Sequence, residues 1–339
     1  MRLIKTEDAV GHVLCHDMTQ IIKDQYKDAR FRKGHVVTEE DIPVLLSMGK
    51  EHLYVWEMTS GMVHENDAAE RLLALCGQEN MIRSGVKEGK IELKAACDGV
   101  FLVDSARLVA VNSQDEVMIA TRKGGMAVRE GDKLAGMRVI PLIIEEEKLR
   151  KAEQAAGDKP LLSLKPYVRK TACIVATGGE VKKGLIKDTF TPVVIDKLKT
   201  YGIETLEVVY SGDGVENVRD AVLAMREKKP DMILCTGGMS VDPDDNTPGG
   251  IKAAGANIIA YGAPVLPGAM FLLGYFDDGM PVMGLPGCVM YAGVTVFDLV
   301  LPKIAADVPV TRADLAALGE GGLCLGCKPC HYPICPFGK

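Results

Sequence analysis

Residues 171–180 read Thr-Ala-Cys-Ile-Val-Ala-Thr-Gly-Gly-Glu, and residues 231–240 read Asp-Met-Ile-Leu-Cys-Thr-Gly-Gly-Met-Ser. Each is a short apolar run that stops at a pair of glycines. A run of that length bounded by a turn signal reads as a buried strand, Thr171–Ala176 and Asp231–Cys235. Helical spacing fills the gap between them. Thr191-Pro192 opens a helix whose Val194, Ile195, Leu198 and Tyr201 share a face, and Gly202 stops it. Ile203–Tyr210 reads as a strand, and Val215–Lys229 as a helix with Val218, Val222 and Met225 on one side. Further on, Thr247-Pro248 starts a short helix, Pro281–Gly284 is a strand, and Val289–Leu301 is a largely apolar helix. Strands alternating with helices predict βαβ units around a mostly parallel sheet, a three-layer α/β domain over residues 168–306.

Working outward, residues 1–84 read as a small mixed α/β unit. In it Thr38 caps a helix with Glu40 and Asp41 in its first turn, His52–Trp56 is a strand, and Asn66 caps the helix 66–76. Residues 85–147 alternate short β runs with glycine turns and read as a β-rich domain. Glu145–Lys159 is charged and reads as a solvated helix leading through a linker, 148–167. Residues 307–339 form a cysteine-rich tail.

A chain of 339 residues exceeds one ordinary core. Its net charge of −6, with both signs mixed throughout, argues against nucleic acid, which needs a basic face. Ala253–Phe276 and Gly279–Phe297 carry no charge and are long enough to raise a membrane span. Gly262, Pro264, Pro267, Gly268, Gly274, Pro281, Pro286 and Gly287 break them into short buried strands, so no membrane is expected. The opening MRLIKTEDAVGHV lacks an apolar signal core, which makes the cytoplasm the expected location.

In open α/β sheets, ligands gather at the carboxyl ends of strands. Here those ends carry Thr177-Gly178-Gly179-Glu180, Ser211-Gly212-Asp213-Gly214, Thr236-Gly237-Gly238-Met239-Ser240 and Leu285-Pro286-Gly287-Cys288. Paired glycines let backbone N–H groups approach an anion, and Thr177, Thr236 and Ser240 add hydroxyls. Carboxylates stand beside them: Glu180, Asp213, Asp242, Asp244 and Asp245. Several carboxylates facing one cleft repel unless a cation shares them, and Mg²⁺ suits that place. A single such loop is often only a turn, and scattered Asp residues often cap helices. Recurrence at four strand ends points to a site for an anion plus magnesium. A P-loop is excluded because Leu185 and Ile186 follow Gly184. Dinucleotide binding is disfavoured because Asn217 replaces the third glycine and Asp213 would repel a pyrophosphate.

These motifs together, TGGEV at 177–181, GGMSVDPDD at 237–245, the segment through Pro267-Gly268 and LPG at 285–287, resemble the molybdopterin-binding domain of the molybdopterin adenylyltransferase and molybdotransferase families. The resemblance covers residues 168–306. It implies molybdopterin or its adenylylated form as ligand, and insertion of molybdate with Mg²⁺ present. By matching position Glu180, Asp213 and Asp245 would be the catalytic carboxylates. Thr177, Gly178, Gly179, Asp188, Thr236, Gly237, Gly238, Ser240, Asp242, Pro267, Gly268, Leu285, Pro286 and Gly287 would bind the cofactor. A homo-oligomer and a recipient molybdoenzyme would be the partners. The chain departs from the families at several points. Gly179 stands where they carry Asp, Cys288 where they carry Asn, and Ala269 where they carry Lys; Asp188-Thr189-Phe190 replaces Asp-Ser/Thr-Asn. Three functions stay open on this footing: a molybdotransferase-like enzyme; a carrier, sensor or maturation factor that binds the cofactor without completing insertion; and, more remotely, a nucleotide-processing hydrolase built on the same domain.

The tail carries Cys324-x2-Cys327-x2-Cys330-His331-x3-Cys335-Pro336. That spacing is close to a bacterial ferredoxin run with one extra residue, and four thiols there could hold zinc or an iron–sulfur cluster. A tail of free thiols is the alternative.

Overall fold

The computed structural model describes residues 2–22, 26–55, 61–240, 242 and 245–339; Trp56, Pro243 and Asp244, named above, lie outside them. The chain divides into two compact units that interleave along the sequence. The first comprises residues 1–96, 103–124 and 131–163, and the second 97–102, 125–130 and 164–339. The cysteine-rich tail therefore belongs to the second unit.

In the first unit, Arg2–Lys5 pairs antiparallel with His52–Val55, and Met18–Ile22 with Tyr26–Phe31. Leu14, Leu45, Leu53 and Phe31 pack beneath them. The helix here is Asp41–Ser47, and Thr38 does not cap it. The Asp41 carboxylate instead accepts from the Thr38 N–H and hydroxyl. The helix Glu65–Cys76 is capped by His64, whose Nδ1 accepts from the Asn66 N–H, and not by Asn66 itself. Four antiparallel strands, Met81–Arg83, Ile91–Ala95, Lys133–Val139 and Val117–Thr121, form the sheet of the β-rich stretch. A helix not expected there, Ser105–Asn112, is capped by Asp104 accepting from the Arg107 N–H. The charged helix is Glu146–Ala156. It is not solvated all round, because Leu149, Ala152 and Ala156 at helical spacing bury one stripe.

The second unit is built on one six-stranded sheet. Its strands are β1 (Thr171–Thr177), β2 (Glu204–Ser211), β3 (Met232–Thr236), β4 (Asn257–Tyr261), β5 (Leu272–Tyr275) and β6 (Pro281–Leu285). They lie in the order β2-β1-β3-β6-β5-β4; the first four neighbours are parallel, and β5 runs antiparallel to both β6 and β4. The helices are α1 (Gly179–Lys182), α2 (Phe190–Lys199), α3 (Val215–Glu227), α4 (Thr247–Ala253), α5 (Val296–Ala305) and α6 (Arg312–Ala317).

Period-two alternation sends side chains to both faces of the sheet. Ala172, Ile174, Met232 and Leu234 face a core shared with Val194 and Leu198 of α2 and Val296, Phe297 and Val300 of α5. Cys173, Val175, Ile233 and Cys235 face the opposite core, with Val218 and Val222 of α3 and Ile251 of α4. The result is the expected three-layer α/β domain. One expectation changes: Val289–Leu301 is not a continuous helix. A 3-10 turn at Gly287–Met290 ends, and α5 starts separately at Val296. Its N-cap Thr295 forms a capping box with Asp298.

Candidate functional site

The chain leaves β1 for β2 on one side and reaches β3 on the other, so strand order reverses at the β1–β3 boundary. A crevice opens at such a reversal, at the carboxyl ends of the strands. Thr177-Gly178-Gly179 and Thr236-Gly237-Gly238 lie on either side of it.

Hydroxyls tie the two turns together. Thr177 Oγ1 donates to the Thr236 carbonyl at 2.9 Å and lies 3.1 Å from Thr247 Oγ1. The buried Thr247, first residue of α4, donates to the Gly237 carbonyl at 2.9 Å, and its N–H donates to the Gly238 carbonyl at 3.2 Å. Glycine is required here. Gly237 and Gly238 have φ of +82° and +56°; a Cβ on Gly237 would run into the Thr177 carbonyl, and one on Gly238 would lie 2.6 Å from Thr247 Oγ1.

Carboxylates shape the same turns. Asp213 Oδ2 accepts from the Gly179 N–H at 3.0 Å, and Asp245 Oδ2 from the Ser240 N–H at 2.9 Å. The Asp245 N–H donates to the Asp242 carbonyl. Glu180 is exposed in the first turn of α1. Asp188 accepts from the N–H groups of Phe190 and Thr191, so it, rather than Thr191, caps α2; the Tyr210 hydroxyl reaches it at 3.3 Å. Burial alone would raise the Asp188 carboxyl, but hydrogen bonds from Thr191, Phe190 and Tyr210 hold it below the usual range.

The remaining candidates reach the same edge of the sheet. Tyr261 pairs with Leu272, and Leu272 with Gly284, so the β4–β5 connection with Pro267 and Gly268 lies beside the end of β6. Gly268 is buried, and a Cβ there would sit 2.6 Å from Val296 Cγ1. The Pro267 carbonyl accepts from the Val296 N–H. Leu285 and Pro286 are also buried, Leu285 within the core, and they carry the exposed Gly287. Burial pushes the Cys288 thiol up.

Two residues here escape sequence reasoning. Thr247 reads only as a helix opener, since nothing local announces a bond to Gly237. Tyr261 reads as a strand residue, yet its hydroxyl donates to the Met239 carbonyl at 3.0 Å and clamps the Gly237–Ser240 turn.

Among the described residues, no three His, Cys, Asp or Glu side chains converge closely enough to hold a metal ion. The structure thus does not gather Glu180, Asp213 and Asp245 into one group, nor Cys324, Cys327, Cys330 and Cys335. Among the described residues no helix is long and apolar enough to cross a membrane.

Residues 173–306 match a family described as a probable molybdopterin binding domain. Most of the second unit is thus similar to that family. The resemblance carried by TGGEV, GGMSVDPDD and LPG is thereby borne out for this part of the chain. Residues 3–57 match a family described only as a domain of unknown function. A CinA-like protein of Mycobacterium tuberculosis is 33% identical over 76 residues, 22% of this chain and 18% of that protein. One of Petrotoga mobilis is 32% identical over 76 residues, 22% of this chain and 19% of its own length. The chain spans about a fifth of the length of these curated relatives. Among solved structures, the molybdopterin biosynthesis enzyme MoaB of Thermus thermophilus is 16% identical, with 42% of this chain and 97% of that one covered at a TM-score of 0.36. The Mog protein of Mycobacterium ulcerans is 21% identical, with 41% and 93% covered at 0.32. A molybdenum cofactor biosynthesis protein of Pyrococcus furiosus is 13% identical, with 93% and 64% covered at 0.27.

Proposed function

We propose that the second unit binds molybdopterin, or its adenylylated form, at the β1–β3 crevice, and that the chain serves molybdenum-cofactor biosynthesis as a cofactor-binding carrier or maturation factor. The observation that carries this is the Thr177–Thr236–Thr247–Gly237 clasp. It holds two glycine turns open at the strand-order reversal, where backbone can approach a phosphate. Asp213 and Asp245 each accept an N–H of the turn they shape, which gives them a structural role and weighs against a purely catalytic one. Thr177, Gly178, Gly179, Thr236, Gly237, Gly238 and Ser240 would take the phosphate end, with Asp188, Asp242, Pro267, Gly268 and Gly287 around it. The test is anaerobic equilibrium binding of molybdopterin to the full chain. Wild type should bind and Gly237→Ala should bind at least about tenfold more weakly, a loss of about 1.4 kcal/mol. Equal affinities, or no binding by either, would reject the crevice.

A second function, molybdotransferase-like insertion of molybdate, is favoured by one observation: Glu180, Asp213 and Asp245 follow three strands that lie side by side in the sheet. Magnesium commonly uses one or two carboxylates and completes its shell with water and phosphate oxygens. Asp213 and Asp245 are the residues that would hold it, where it would neutralise phosphate charge. Molybdate-dependent AMP release from adenylylated molybdopterin tests this. Turnover lost in Glu180→Gln, Asp213→Asn and Asp245→Asn would establish the enzyme; tight binding without turnover would leave the carrier. A recipient molybdoenzyme and a homo-oligomer belong to the same proposal, and both are open to copurification and light scattering.

A further inference from the structure

The function proposed above uses the second unit alone. In the first unit, Ala29, Arg30, Phe31, Arg32 and His35 line an open groove of about 590 Å³. Local backbone shapes it. Thr19 pairs with Ala29 and Met18 with Phe31, so Arg30 is the extra residue of a β-bulge. Bulges bend a strand and re-aim its side chains. Just beyond, the His35 N–H donates to the Arg32 carbonyl at 3.0 Å and closes a tight turn. Gly34, at a φ of +88°, supplies the left-handed conformation that this turn needs. The turn returns His35 to the groove. Its Nε2 lies 2.7 Å from the Asp41 carboxylate, and its ring stands 5.2 Å from that of Phe31.

The guanidinium groups on this groove are unpaired. Arg71, Arg83, Arg107, Arg122, Arg138 and Arg150 of the same unit each pair with a carboxylate. Arg30 and Arg32 are exposed and form no ion pair among the described residues. The nearby acids are engaged elsewhere. Asp17 accepts the Lys33 N–H at 2.7 Å, Asp28 accepts the Ala29 N–H at 2.8 Å, and Asp41 holds His35 and Thr38. The Lys33 ammonium is not on the groove; it lies 3.1 Å from His64 Nδ1. Two guanidinium groups at neighbouring positions repel until an anion lies between them. Their planar forks match carboxylate and phosphate oxygens. A carboxylate monoanion occupies one fork, whereas a phosphate dianion has oxygens and charge for both. Asp28 precedes the pair and Glu39, Glu40 and Asp41 follow it, so the positive patch is small. It suits one phosphate group and not a polyanionic chain.

We propose that Arg30 and Arg32, walled by His35, form an anion site on the first unit that takes the phosphate group of a small phosphorylated ligand. The bulge and the glycine turn set the two forks on one groove, and Asp41 and Phe31 steady the imidazole beside them. The site stands on the geometry of the first unit and does not depend on the crevice between β1 and β3.

The full chain is titrated with phenyl phosphate and with acetate, by calorimetry and by deuterium exchange. Phenyl phosphate should bind wild type and slow exchange at 29–36. It should bind Arg30→Gln/Arg32→Gln at least about tenfold more weakly, as loss of charge-assisted hydrogen bonds requires. Arg30→Lys/Arg32→Lys, which keeps the charge and loses the forks, should fall between the two. Both side chains are exposed, so all three proteins should unfold at the same temperature. Equal affinity in wild type and the glutamine pair, or no protection at 29–36, overturns the site. Acetate that binds as tightly as phenyl phosphate overturns the phosphate assignment. A phosphoserine peptide is the last probe: binding no tighter than phenyl phosphate supports a small ligand, and a gain of about tenfold or more overturns it. Protection at 177–180 and 236–240 reports the second-unit crevice separately, so the two sites succeed or fail apart.

Discussion

The Gly179 N–H donates to Asp213 Oδ2 at 3.0 Å, joining the turn after β1 to the turn after β2. A Cβ at residue 179 would stand 2.7 Å from that same oxygen. Glycine at this position and the bond to Asp213 are two aspects of one arrangement. The acid that the resembling families carry at 179 cannot be restored without displacing Asp213.

Gly179→Asp should therefore weaken the site. Two carboxylates forced together repel, and the turn loses its bond to Asp213. Unfolding midpoints in urea should fall by the equivalent of about 1–2 kcal/mol, the range of losing such a cap. Molybdopterin affinity should fall as well. A tighter-binding or newly active Gly179→Asp protein would show that the turn has room that this geometry denies.

Thr247→Val removes one hydroxyl and keeps the shape. The Gly237 carbonyl loses its hydroxyl donor in a largely buried place, which costs about 1–3 kcal/mol. Thermal unfolding measures the loss, and molybdopterin titration should show weaker binding. Thr247→Ser, which keeps the hydroxyl, should recover most of both.

Stability should fall as the solution is acidified, through His64. Burial holds its ring below the usual imidazole range, and the Lys33 ammonium adds to this against the hydrogen bond to the Cys15 carbonyl. The unfolded chain takes up a proton near pH 6.5, and the folded chain does so only at lower pH. The contribution is thus complete above about pH 6.5 and is lost as pH falls toward the folded value. His16 is lowered by burial in the same sense, and Glu65, raised by burial, acts oppositely at lower pH. Urea unfolding from pH 7.5 to 5.5 should give a steeper decline for wild type than for His64→Gln. The difference cannot exceed about 1.4 kcal/mol per pH unit for a single proton. Parallel curves would remove His64 from the account.

Phe337→Ala tests whether the tail is part of the second unit's core. Phe337 is only 2% exposed, and truncating a buried phenylalanine costs about 3–5 kcal/mol. A change below about 0.5 kcal/mol would mean that the tail is not packed there.

The sequence by itself determined the layers and marked the glycine turns at the strand ends where the proposed site lies. Alternating apolar residues in TACIVAT and DMILCT must serve two cores, and helix-period faces at Val194–Leu198 and Val218–Met225 supply the outer layers. These are local periodicities, so they can be read without knowing which strands pair. Caps were harder. Thr38, Asn66 and Thr191 are all plausible caps by residue type, but His64 and Asp188 cap the later two helices and no side chain caps Asp41–Ser47, because capping depends on a single rotamer and on the path of the preceding chain. The break before Val296 was hidden for a related reason. Val289–Thr295 is apolar enough for a helix, yet Pro267 and Gly268 pack against Val296 and Thr295 is spatially poised to cap there. Only the tertiary structure decided which distant groups meet. Thr177 reaches Thr236 and Thr247, Gly179 reaches Asp213, Tyr261 reaches Met239, and Cys324 lies beside Leu266. Each of these contacts is set by strand order and loop closure. Those are properties of the whole chain's packing, and no window of neighbouring residues contains them.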